Sequence, residues 1–113
     1  MIASFQNRRF QVWEYRVSHG SLLVRSPRGP ENETNVDLIF VGVEFMSVPR
    51  HLNGIELHVG GDADVRRATE GLGYAVDAGQ VFALISGGRR HVIVAAGQRV
   101  TEHGGDIFDS PFN

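Results

Sequence analysis

Apolar residues in this chain recur mostly with a period of two. From Phe10 to Ser18, Trp13, Tyr15 and Val17 fall on one side and Glu14, Arg16 and Ser18 on the other, as the side chains of a strand do. Leu22 to Ser26 runs back with Leu22 and Val24 inward, and the Gly20-Ser21 pair between the two runs suits a two-residue hairpin turn. Asn35 to Val48 is a longer apolar run with Leu38, Ile39, Phe40 and Val41 on both faces, the pattern of a central strand. Gly42 inside it predicts a bulge or bend, and Pro49 ends it. Gly54 to Val59 alternates again, with Ile55, Leu57 and Val59 inward and Glu56 and His58 outward.

One segment changes period. Val65, Ala68 and Leu72 recur at helical spacing, with Asp62 as a natural N-cap and Asp64 suited to the positive end of the helix dipole. Gly71 and Gly73 stop it, so the pattern predicts a helix over about 63–71. So short a helix is marginal alone and must dock on the sheet. The last third reads as a meander: Val81 to Ser86, Arg89 to Ala96 and Arg99 to His103, with hairpin glycines at Gly87-Gly88 and Gly97-Gln98.

These elements predict a mainly β fold: an antiparallel β-sandwich or partly open barrel of about 7–9 short strands with one short mid-chain helix. At 113 residues a single domain over 1–113 is expected. Residues 27–34 (PRGPENET) form a polar loop. Residues 106–113 form an apolar C-terminal tail carrying Ile107, Phe108 and Phe112. Such a tail either packs along its own barrel or lies across a partner subunit, because free apolar patches are generally avoided.

Composition narrows the function classes. There is no cysteine, hence no disulfide framework, thiolate metal site or cysteine nucleophile. All 11 basic residues are arginines, against 13 acidic ones, for a net charge of −2. That balance argues against nucleic acid as the partner. No apolar stretch approaches the ~20 residues of a membrane helix, so no membrane association is expected. The first fifteen residues include Arg8 and Arg9 and no apolar run, so a secretory leader is not expected and a cytoplasmic location is. The sequon Asn32-Glu33-Thr34 is then a chance match.

Candidate chemistry centres on arginine. A two-residue turn at Gly20-Ser21 would set Arg16 opposite Arg25, and like charges directly opposed across strands are unfavourable. Either Glu14 bridges both guanidinium groups, or an anion or acidic partner lies between them. Arg89 and Arg90 are adjacent beside a turn, so they point to opposite faces and form a second candidate anion or partner site. Trp13, Tyr15, Phe40 and Phe45 are candidate pocket-lining aromatics, with plain core filling the competing explanation.

Other patterns carry less. Val59 to Asp64 runs from strand through Gly60-Gly61 to a helix start like a phosphate cradle, but Asp62 and Asp64 put negative charge where the anion would sit. The histidines at 19, 51, 58, 91 and 103 show no ligand spacing, although the meander would bring His103 near Val92, next to His91. No metal and no cofactor are expected. No GxSxG elbow surrounds any serine, Ser86 included, and Glu44 with Glu56 is a carboxylate pair without a demanding spacing, so no catalytic residue is assigned. No family signature emerges. The His-x-His of cupins is missing, and a pleckstrin-like barrel would end in its helix.

The expected function is that of a small non-enzymatic β-rich interaction module, acting through self-association as a homodimer or through a protein partner. The alternative is a barrel or sandwich that binds a small molecule or anion. An enzyme without a recognisable motif is the third reading.

Overall fold

The computed structural model describes residues 1–112, and its strands are β1 (Ala3–Arg16), β2 (Ser21–Ser26), β3 (Asn35–Val41), β4 (Phe45–Ser47), β5 (His51–Val59), β6 (Val81–Ser86), β7 (Arg89–Val94) and β8 (Gly97–His103). They form one antiparallel eight-stranded sheet in the order β4-β7-β6-β5-β1-β2-β3-β8. One helix, α1 (Asp62–Leu72), and a 3₁₀ turn at Ala78–Gln80 follow β5. The mainly β architecture expected from the alternating runs is the one observed.

The two strands at the ends of that order are tied to each other by the chain. β4 continues β3 beyond Gly42, and β8 continues β7 beyond Ala95 and Ala96. The two bent strands run side by side through both halves, with Val41 opposite Gly97 and Phe45 opposite Val94. Ala96 N–H bonds Val41 O at 2.9 Å between the two ladders. The sheet therefore closes into a barrel that is open only along the outer flanks of β4 and β8. Gly42 makes this bend at φ 63°, a conformation that L side chains rarely adopt.

The interior is filled by Phe10, Leu22, Val24, Val36, Leu38, Phe40, Ile55, Leu57, Phe82, Leu84 and Ile93. A second apolar cluster lies on the outer face, where Ala68 of α1 meets Val81, Val92 and Val94, with Phe45, Val65 and Leu72 around it. The helix docks on the sheet as its length demanded.

Several local expectations are corrected. β1 carries a bulge between Val12 and Glu14, so Arg16 lies opposite Ser21, and Arg25 lies opposite Gln11 rather than Arg16. The turn between β1 and β2 spans Val17 to Gly20 and is not the Gly20-Ser21 pair. Gly87-Gly88 does close the β6–β7 hairpin, with both residues at positive φ. Gly97-Gln98 is no turn: β7 and β8 do not pair with each other, and β8 crosses to β3. His103 therefore lies opposite Asn35, far in register from Val92. At the helix start, Gly61 is the N-cap and Asp62 the first helical residue, because the Asp64 carboxylate takes the Gly61 N–H at 2.9 Å. Gly71 lies within the helix, where its lack of a side chain makes room for Phe45, and Gly73 is the C-cap. Val59, expected inward, is 56% exposed.

Gly54 marks the tightest backbone approach. It has φ 69°, and a Cβ there would lie 2.6 Å from Gln6 O, where β1 bulges between Phe5 and Arg9. Gly54→Ala should therefore lower unfolding stability by about 2 kcal/mol or more, the sum of left-handed strain and overpacking. Chemical denaturation measures this, and Gly29→Ala, whose Cβ meets nothing within 4 Å, serves as the near-neutral control.

Candidate functional site

β2 and β3 are buried on both faces. Their alternation turns Leu22, Val24, Val36 and Leu38 into the barrel, which leaves Arg25 and Asp37 on the outer face, directly opposite each other in register. Both are sealed from water, Arg25 at 0% and Asp37 at 1% exposure. The guanidinium grips the carboxylate with two bonds, Nε to Oδ1 at 2.6 Å and Nη2 to Oδ2 at 2.9 Å. Its Nη1 donates to the carbonyls of Ile107 and Asp109, each at 2.7 Å. Its carbon centre lies 5.7 Å from the Trp13 ring centroid. A buried charge that is paired and hydrogen-bonded in this way avoids the cost of isolation.

His103 completes the cluster, with Nε2 2.9 Å from Asp37 Oδ2. Its other ring nitrogen, Nδ1, accepts the Gly105 N–H at 3.3 Å. The neutral tautomer with its proton on Nε2 satisfies both contacts.

The cover over this cluster is the tail. Phe108 stacks against Trp13 at 6.2 Å between centroids and remains 78% exposed. Ser110 Oγ donates to Glu14 Oε1 at 2.7 Å, and Glu14 Oε2 accepts from Arg16 Nε at 2.7 Å. The Arg16 guanidinium lies 5.8 Å from the Phe112 ring centroid. Ile107, Phe108 and Phe112 thus all lie on the chain's own barrel, held by side-chain and carbonyl contacts; Asn113, the last residue of the expected tail, lies outside the described residues.

The other residues singled out in the sequence disperse. Glu14 pairs Arg16, while Arg25 is neutralised by Asp37. Arg90 is bound by both oxygens of Asp64, at 3.1 and 2.7 Å, and ties β7 to α1. Arg89 is exposed at the β6–β7 turn. The four aromatics share no pocket: Phe40 is in the core, Phe45 lies beneath α1, Trp13 is under the tail and Tyr15 is 38% exposed. The bulge in β1 and the bend at Gly42 separate them. Ser86 Oγ donates to Asn53 O, Glu44 holds Tyr74, and Glu56 holds Gln6 and His58. Among the described residues no three His, Asp or Glu side chains gather in a metal-holding group, and no helix is long and apolar enough to cross a membrane.

Asp37 and His103 escaped the sequence reading. The available signal was Asp37 itself, a charge between Val36 and Leu38 in an otherwise apolar strand, which demands a buried partner.

Two strand flanks are left unpaired among the described residues, those of β4 and β8. β8 pairs with β3 and with no other strand. Beside it runs a groove of about 330 Å³ lined by Ile39, Val41, Gly97, Gln98, Pro111 and Phe112, with Arg99 at its rim. Gln98 lies opposite the core residue Phe40, and its Oε1 is buried without a hydrogen-bond partner among the described residues. No protein-family model matches the chain, and no curated protein and no solved structure matches it.

Burial pushes the Asp37 carboxyl up, but the bonds from Arg25 and His103 outweigh it and hold the group below its ordinary value. A carboxyl lowered in the folded state contributes stability above its unfolded pKa, and that contribution is lost as pH falls through the folded value. Asp37→Asn should cost about 3–5 kcal/mol at neutral pH, because it leaves Arg25 charged and buried without its counter-ion. The loss of stability below about pH 4 should also become shallower in that variant. Denaturant titrations across pH measure both effects.

Proposed function

We propose that this chain is a cytoplasmic, non-enzymatic interaction module that joins a partner along the open flank of β8, the partner being a second copy of itself. The observation that carries this reading is the outer flank of β8, which pairs with no strand among the described residues. An open strand edge presents unpaired backbone N–H and C=O groups, and an added strand satisfies them. Ile39, Val41 and Phe112 in the neighbouring groove supply apolar area for the same contact.

Self-pairing is favoured by the strand's own sequence. Two antiparallel β8 strands centred on Val100 set Gln98 against Glu102 and Arg99 against Thr101 on either side of a two-fold axis, an isologous contact. Centred on Arg99 instead, the strands would oppose two guanidinium groups, so register is restricted. Around the buried Arg25–Asp37 cluster and at the β6–β7 turn, some groups that could do chemistry are taken up by the fold. Both nitrogens of His103 and the hydroxyls of Ser86 and Ser110 are engaged within the fold.

Sedimentation over a concentration series should reveal a reversible monomer–dimer equilibrium. Thr101→Arg should abolish it by opposing like charges twice, without loss of monomer stability. A wild-type chain that remains monomeric at all concentrations contradicts the proposal.

A further inference from the structure

The β6–β7 turn and the start of β5 border an open surface depression of about 380 Å³ at one mouth of the barrel. Pro49, His51, Leu52, Ser86, Arg89 and His91 line it, and no carboxylate does. The alternation of β7 explains why. Arg90, Val92 and Val94 face the helix side, where Arg90 holds Asp64. Their neighbours Arg89, His91 and Ile93 face the other way, and Ile93 enters the core.

The arginines that build the fold are engaged: Arg8, Arg16, Arg25, Arg28, Arg67 and Arg90 each donate to a named acceptor. Among the described residues, the side chains of His51, Arg89 and His91 have no such partner. These three nitrogen-bearing residues border one concave, carboxylate-free site together with Pro49 and Leu52. Barrel mouths are common ligand sites, and the volume lies in the range of small-molecule pockets.

We propose that this mouth binds a small phosphoryl-bearing ligand, with the oxyanion between Arg89, His91 and His51 and any apolar part of the ligand against Leu52 and Pro49. The guanidinium fork and two imidazole N–H groups match the acceptor geometry of a phosphoryl group. The His91 pKa is lowered from its ordinary value by burial first and then by the positive charges of Arg67 and Arg89, and it is these two arginines that favour an anion here. Arg90, although adjacent, is neutralised by Asp64. A bound anion would favour the imidazolium form and move the His91 titration upward. This site is separate from the β8 flank, and each stands or falls without the other.

NMR titration with inorganic phosphate, and in parallel with phenyl phosphate, tests the proposal. Both should saturably shift the Gly87 and Gly88 amides and raise the His91 titration midpoint, whereas sodium chloride at matched ionic strength should not. Tighter binding of phenyl phosphate identifies an organic phosphate as the ligand class, and equal binding identifies free phosphate. Arg89→Gln should weaken binding about tenfold, the weight of one charge-assisted hydrogen bond, with an unchanged melting temperature because Arg89 is exposed. The absence of a saturable shift, an equal response to chloride, or undiminished binding by Arg89→Gln would overturn the proposal.

Discussion

The arrangement depends on one ion pair. Arg25 and Asp37 lie on the outer face of β2 and β3, where a sheet of this kind would ordinarily meet water. Their charges cannot be sealed there without full pairing, and the two bonds between them satisfy only part of the guanidinium. The carbonyls of Ile107 and Asp109 supply what remains. The tail is therefore needed to complete the hydrogen bonding of a buried cation, and it covers apolar surface at the same time. Leu23 and Ile39, also outward, are buried by the same cover. His103, Glu14 and Ser110 then fasten its two ends.

The other half of the barrel solves the same problem differently. Its outer face is covered by α1, and the link between them is again an arginine with an aspartate, Arg90 with Asp64. Asp64 is also held by Gly61 N–H, and these contacts lower its carboxyl below the ordinary value despite burial. The slot that resembled a phosphate cradle is thus filled by a carboxylate of the chain itself. Outside the two covers, the barrel mouth at the β6–β7 turn and the flanks of β4 and β8 carry polar groups without internal partners among the described residues.

Much of this was legible in the alternation of residues. The β class, the bend at Gly42, the loop at 27–34 and the mid-chain helix follow from local pattern, because each is fixed by side-chain periodicity or turn chemistry, whereas the pattern left open whether the apolar tail packs on its own barrel or on a partner. What failed was register. A bulge at Trp13 adds one residue to β1 and dissolves the expected Arg16–Arg25 opposition. Bulges leave little trace in a single sequence, since the extra residue is of no special type. The meander failed for a related reason: Gly97 looks like a hairpin glycine, yet whether β8 folds back on β7 or crosses to β3 is decided by barrel closure. The partners of Arg25 come from β3 and from the tail, and no local pattern specifies contacts so distant in sequence.

The most direct test of the buried clamp is proton exchange at the Arg25 guanidinium, followed by NMR alongside that of exposed Arg66 and Arg99. Slow exchange at Arg25 Nε, with nuclear Overhauser contacts to Trp13 and Ile107, is the predicted result. Exchange as fast as at Arg66 and Arg99, without those contacts, would contradict the account.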